Sequence, residues 1–310
     1  MTLRCLALTI GLSLSVRLMG QTYYENDFES DTAGEQPGGD ITFSPSSNTA
    51  TNGAMVLDAT TTPASPFPGK SLYVYDLDGD GSAGTPTHMR FAFNGGANVS
   101  NVRVDFEFQR AFAPADPNDS DTRIQVAVGR AGDSLNNSDF RPFELRLQNR
   151  GQIELNHRDG TTTVGDYLTD QANKITLLLN SHDTESVAYD DPDLGSGTVA
   201  PNTVVLFLNG TLMGSYPFHQ TPDPANAPQI DFYAEDNDLG QIAFYQDSKR
   251  QGGIIFDNLK ISAIASATPP PASATLFAAD FESDTVGNQP EGPYTFSPGS
   301  NTATNGAYVI

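Results

Sequence analysis

The sequence predicts an all-β protein of antiparallel strands stacked as two sheets, followed by a linker and the opening of a second copy. Three observations predict it: apolar residues recur at every second position, Asn-Gly and related pairs punctuate them, and no stretch carries a helical period. In "VRVDFEFQ", Val102, Val104, Phe106 and Phe108 point one way, and Arg103, Asp105, Glu107 and Gln109 point the other. "RIQVAV" repeats the pattern with Ile124, Val126 and Val128. "FELRLQNRGQIEL" reads as two strands turning around Asn149–Gly151, and "VVLFLNGTLMGSY" as two turning at Asn209–Gly210. "SLYVYD", "HMRFAF", "KITLLLN", "QIDFYAE", "QIAFYQD" and the closing "GGIIFDNLKIS" supply further strands. A dozen or so strands, each with one apolar face, need a facing sheet to bury that face.

The strongest single feature is a repeat. "DFESDTAGEQPGGDITFSPSSNTATNGAMVL" (27–57) returns at 280–310 with about three-quarters of its positions identical. Between the copies lies "SATPPPASAT" (266–275), a Pro/Ala/Ser linker expected to be extended and stiff. One unit therefore runs over 21–265, and 276–310 begins a second. That piece is too short to close a β-core, so the chain reads as the front of a longer tandem protein. A tail that pairs with a sheet edge is the alternative.

Of 310 residues, 38 are Asp or Glu and 16 are Lys or Arg, for a formal charge of −22. Such a surface repels nucleic acid and anionic membranes and suits divalent cations, although a solvated acidic face needs no ligand. Residues 1–20 read as a secretory signal: Arg4 supplies the basic start and Cys5 to Val16 an apolar run too short to span a bilayer. Its removal takes two Arg and no acid, from −22 to −24, along with the single cysteine. The exported protein then has no disulfide, and metal ions become the natural staple.

The phrases "DFES", "KSLYVYD", "ANKITLLLN", "TVVLFLNGTLMGSY" and "LGQIAFYQDSKRQGGIIFDNLKIS", in that order over roughly Tyr24 to Ser262, resemble the laminin-G-like and concanavalin A-like jelly rolls of secreted bacterial proteins. The opening "DFES" and closing "DN" also look like carbohydrate-binding modules of that type. The resemblance implies a jelly-roll sandwich and extracellular glycan contact, often with calcium. The group spans lectin-like binders, glycan-active enzymes and spacers, so fold alone does not choose among them.

Two places could hold calcium. "YDLDGDGSAGTPT" puts Asp76, Asp78 and Asp80 at alternate positions before Gly81, as a calcium loop begins. The twelfth position is Thr87 rather than Glu and no helix flanks it, so the loop is not an EF-hand, and the alternative is a plain acidic, Gly-rich loop between strands. In "IIFDNLKI", Asp257 shares parity with Ile255, Leu259 and Ile261, which favours the inner face, where a carboxylate needs a cation or several donors. The resemblance suggests a structural calcium there held by Glu29 and Asp257, with first and last strands side by side. The alternative is a bulge at which Asp257 accepts from backbone amides.

Sugar binding calls for exposed aromatic rings. With no Trp in the chain, Tyr167 and Tyr189 beside loops are the candidate ligand contacts among the tyrosines, against an ordinary core role. No catalytic residues are assigned. The "ExDxxE" strand of glucanases of this fold is absent. "RPFELRLQ" faintly resembles the Arg-Glu-Leu-Arg strand of alginate lyases through Arg141, Glu144 and Arg146, with spacing off by one. His88, His157, His182 and His219 are scattered and make no ligand pair. The leading expectation is a secreted, non-catalytic module that binds extracellular polysaccharide or matrix glycan, stabilised by calcium, with further tandem domains as neighbours and neither nucleic acid nor membrane insertion. A spacer repeat of a large surface or adhesin-like protein is the second, and a polysaccharide lyase or hydrolase the third.

Overall fold

The structure is a computed structural model that describes residues 20–77, 88–112, 122–135, 141–157, 159–218, 239–246 and 251–265. Residues 1–19 of the leader, Asp78, Asp80, "QIDFYAE", His219, the linker and the second copy lie outside the described residues.

Seventeen strands form among the described residues. In chain order they are β1 (Thr22–Asn26), β2 (Ile41–Ser44), β3 (Asn52–Leu57), β4 (Ser71–Asp76), β5 (His88–Ala92), β6 (Asn101–Arg110), β7 (Arg123–Gly129), β8 (Glu144–Gln148) and β9 (Gln152–His157). There follow β10 (Gly160–Asp166), β11 (Asn173–Asn180), β12 (Val187–Asp191), β13 (Gly195–Val199), β14 (Thr203–Leu208), β15 (Thr211–Pro217), β16 (Gln241–Tyr245) and β17 (Gly252–Ser262). The only helical element among the described residues is one 3-10 turn, Asn94–Gly96. No helix there is long and apolar enough to cross a membrane.

The strands make two antiparallel sheets. One runs β15-β14-β11-β6-β17-β4-β3, with β1 also paired to β17; the other runs β10-β9-β8-β7-β16-β5-β2. The chain passes back and forth between them, the path of a jelly-roll sandwich, and the all-β expectation holds. The turns follow local chemistry. Asn209 (φ 50°) and Gly210 (φ 77°) both take positive φ at the β14–β15 hairpin, which a two-residue turn between twisted strands requires.

The alternating residues of β6, β7, β8, β11 and β17 fill the space between the sheets. Val102, Val104, Phe106 and Phe108 have no exposed surface. Phe106, Phe244 and Phe256 meet edge to face at the centre, with centroids 4.7 to 6.1 Å apart. Phe28 joins this core from the "NDFES" loop, held at φ 60° because Asn26 Oδ1 accepts from its N–H at 2.7 Å. A second apolar patch, Leu57, Phe67, Tyr73, Tyr75 and Ile255, covers one end of the eight-stranded sheet's outer face. A third lies where the β12–β13 hairpin crosses the other end over Leu178, Val205 and Phe207. Arg103 pins this hairpin by bridging Asp105 and Asp191.

One expected orientation is corrected. Asp257 does not face inward with Leu259 and Ile261. Ile254 and Phe256 are in the core and Ile255 is in the outer patch, so Asp257 falls on the outer side, opposite Glu107 of β6. The register shifts between Asp257 and Lys260, and Asn258 takes φ 51°; this bulge resets the alternation so that Leu259 and Ile261 return to the core.

Phe256→Ala should cost about 3–5 kcal/mol, because it opens a cavity where both sheets meet. Urea unfolding of the variant checks this; a loss under about 1 kcal/mol would contradict a single core centred there.

Candidate functional site

The outer face of the seven-stranded sheet carries an unbroken row of polar side chains. Strand register places His88, Tyr245, Gln125, Arg146 and Glu154 side by side across β5, β16, β7, β8 and β9. They sit there because their neighbours in sequence, Met89, Phe244, Val126, Leu145 and Ile153, take the core positions.

Glu144 ties the row together. Its carboxylate is paired with Arg141 and with Arg146, and it accepts from Gln125 Nε2 at 2.6 Å. Burial alone would raise its pKa, but the two guanidinium groups and their hydrogen bonds win and hold it at about 2. The Arg141 guanidinium lies 4.3 Å from the centroid of the Tyr245 ring. Burial, and then the Glu144 charge, push the Tyr245 hydroxyl well above its ordinary value. Burial and neighbouring Arg90 lower His88, whose Nδ1 has no hydrogen-bond partner among the described residues.

The network is enclosed. Glu144 is 3% exposed and Tyr245 2%. Leu135 packs on Ala127, Ala243 and Tyr245, and its carbonyl accepts from Arg141 Nε at 2.7 Å. Glu144 and Tyr245, so covered, fix the shape of this face.

Beside the row the same face opens into a cleft of about 350 Å³, lined by Asp40, Thr42, Arg90, Gln241 and the backbones of Gly95, Gly96 and Gly132. The three glycines all have positive φ, and a Cβ at any of them would meet open space. The turns demand glycine, and the absence of side chains keeps the cleft open. Arg90 Nη1 and Gln241 Nε2 both donate to the Asp133 carbonyl, at 3.1 and 2.5 Å, which fixes the loop that forms one wall. Asp40 and Thr42 are exposed at the start of the edge strand β2. A carboxylate, a hydroxyl, a guanidinium and an amide converge here. Such a set suits a ligand rich in hydroxyl groups. The one aromatic lining residue, Phe91, belongs to the core.

The tyrosines expected at a ligand lie elsewhere. Tyr167 is buried at 5% exposure, its ring edge-on to Phe108 at 4.9 Å and its hydroxyl donating to the Gln148 carbonyl at 2.6 Å. It has no ring face for a sugar, because both sheets claim it. Tyr189 is half-buried on β12, lying over Gly197 of β13 and edge-on to Phe207, where it anchors the hairpin. Neither is near the cleft lining.

Of the candidate calcium residues, Asp78 and Asp80 lie outside the described residues, and Asp76 lies on β4 at the far end of its pairing with β17 from Asp257. Asp76 is fully buried at the end of β4, in register with Asn52 and Gly252. Asp257 is 4% exposed and its Oδ1 accepts from the Asn258 N–H at 2.7 Å. Burial pushes this carboxyl up to about 6; Glu107, Glu29 and Asp27 add to the rise, against that hydrogen bond. β1 does lie beside β17 and brings Glu29 within electrostatic reach. Yet Glu29 Oε1 accepts from the Lys70 N–H at 2.7 Å, and the Lys70 ammonium donates to the carbonyls of Glu29 and Asp31 at 2.9 and 2.6 Å. Among the described residues no three His, Cys, Asp or Glu side chains gather as a metal site.

Sequence reasoning missed the cleft. Its residues come from β2, β5, β16 and two loops, and only strand order joins them. The available signal was the pair of glycine turns, "NGG" at 94–96 and "AGD" at 131–133, flanking outward polar residues.

No protein-family model matches this chain, and no curated protein sequence does. Among solved structures it is similar to a sialidase, at 10% identity and TM-score 0.47, covering 79% of this chain but only 19% of that one. It is similar to "Cellulose induced protein, Cip1" at 15% identity and TM-score 0.43, covering 77% of this chain and 96% of that one. A Bacillus subtilis protein of unknown function with a galectin-like fold gives 11% identity and TM-score 0.42, over 80% and 98%. These likenesses are too distant to assign a ligand.

Glu144→Gln should destabilise the protein by about 3 kcal/mol, since it removes the buried carboxylate that Arg141 and Arg146 share. The wild-type contribution is present above Glu144's unfolded value of 4.5 and is lost as pH falls through about 2. Denaturant curves at pH 7 and pH 2 check both; equal gaps between wild type and variant at the two values would refute the ion network.

Proposed function

We propose that the unit spanning residues 21–265 is a secreted, non-catalytic module that binds an extracellular polysaccharide or matrix glycan in the cleft between β2, β5 and β16. One observation carries this reading. On the outer face of the seven-stranded sheet, the hydrogen-bonding groups of the cleft, Asp40 and Thr42 among them, are open, while Glu144 and Tyr245 beside it are enclosed. A hydroxyl-rich ligand matches the lining, and the wall beside Gly132 is held through the Asp133 carbonyl by Arg90 and Gln241, which limits the entropy lost on binding.

A glycan array with the full chain tests it. Binding should appear to one class of polysaccharide and fall about tenfold or more in Asp40→Ala, which removes a charged hydrogen-bonding group. Thr42→Trp, which fills the cleft, should abolish it. Flat arrays would leave the reading of a spacer repeat in a surface protein, which the internal duplication favours.

Calcium stabilisation is the second part of the proposal. Its support is the carboxylate of Asp257, buried among the like charges of Glu107, Glu29 and Asp27. Asp257 and Glu29 would be the residues to hold the ion. Native Asp257 binds its proton more tightly than the unfolded chain. Without metal, stability through this group therefore rises as pH falls through about 6 and levels off below its unfolded value of 3.8. At pH 7 in EDTA, Asp257→Asn should melt above wild type, and calcium should raise the melting temperature of wild type only. A wild-type melting curve identical in EDTA and calcium removes the ion from the account.

A further inference from the structure

Arg90 carries a charge that the protein leaves unanswered. Arg103 pairs with Asp105 and Asp191, Arg141 and Arg146 share Glu144, and Arg150 pairs with Glu154. Arg90 lines the cleft half-buried and has no carboxylate partner among the described residues. Asp133 gives it a carbonyl rather than a carboxylate, and Asp40 lines the same cleft without pairing with it. In a chain with 38 acidic and 16 basic residues, an arginine without a counter-ion does not reflect a shortage of acid. A half-buried charge also gains more from a partner than an exposed one, because water screens it less.

The guanidinium is held in one attitude. Both of its bonds leave from Nη1, to the Asp133 carbonyl at 3.1 Å and to Ser134 Oγ at 3.4 Å. The Nε and Nη2 edge has no acceptor among the described residues. That edge presents two parallel N–H donors, the fork that matches two oxygens of a carboxylate or sulfate. Strand register sets Thr42 directly beside Arg90, and sets Ala92, small and exposed, beside Gln241. The short side chain of Ala92 leaves room among these polar groups.

Building on the cleft as a glycan site, we infer that its ligand is an acidic sugar residue. The oxyanion, carboxylate or sulfate, pairs with the Nε–Nη2 edge of Arg90, and hydroxyl groups of the same residue meet Thr42 and Asp40. Repulsion from the rest of the acidic surface fades over a Debye length of about 8 Å at physiological salt. It still disfavours polymers whose charges crowd together. The ligand is therefore a polysaccharide with spaced acidic residues.

Binding of the full chain to three matched pairs of polysaccharides tests this: a partly esterified pectin and its full methyl ester, glucuronoxylan and its carboxyl-reduced form, κ-carrageenan and its desulfated form. Within at least one pair the acidic member should bind about tenfold tighter or more, the gain of a charge-assisted fork over neutral bonds. Pectin and glucuronoxylan report a carboxylate, carrageenan a sulfate. Arg90→Gln should erase the difference, and Arg90→Lys, which keeps the charge but not the fork, should restore part of it. Gln241 still holds the Asp133 carbonyl in both variants, so their melts should stay cooperative. Equal binding by wild type within every pair overturns the acidic sugar and leaves the cleft as a site for neutral glycan. A difference that survives in Arg90→Gln overturns the role of Arg90. Binding to none of the six removes the glycan site and this ligand together.

Discussion

Each sheet of this sandwich is held in one piece by a strand from the end of the domain. β17 lies between β6 and β4, and β16 lies between β7 and β5. Remove them and each sheet separates into an early block, β2 to β5, and a later block, β6 to β15. The native pairing thus waits on residues 241–262, more than 130 positions after the β5–β6 boundary that they bridge. Such long-range closure is entropically costly and slow to form. It also explains the concentration of aromatic packing at Phe106, Phe244 and Phe256, where a late strand from each sheet meets the centre of the earlier fold.

The architecture was legible because burial on one face leaves a period of two, as in β6 and β8; β11 and β14 depart from it at Leu178, Val205 and Phe207, which the β12–β13 hairpin covers on the outer face. The short edge strands were not legible. β2, β10 and the β12–β13 hairpin are half-exposed, so nothing forces their residues to alternate. The orientation of Asp257 failed for a different reason: parity counting assumes a regular strand, and the Asn258 bulge breaks it. The candidate site was the least legible part. Tyr167 looked like a loop tyrosine in the sequence but is a core residue, while Arg90 and Gln241 converge only through a strand order that the sequence does not print.

Charge is distributed with the same economy. The chain is strongly acidic, yet several of its few cations are set inside: Arg141 and Arg146 around Glu144, Arg103 between Asp105 and Asp191, and Lys70 across two carbonyls of the opening loop. Arg141, Arg103 and Lys70 each tie a loop or hairpin to a sheet, while Arg146 and Gln125 join Glu144 across the regular strands β7 and β8.

The walls of the cleft are main chain at Gly95, Gly96 and Gly132, where positive φ excludes ordinary residues. Drift in sequence can therefore retune this pocket only through its floor and rim, at positions such as Asp40 and Thr42, while its outline stays fixed. A family of such domains would inherit one socket and vary the key it accepts.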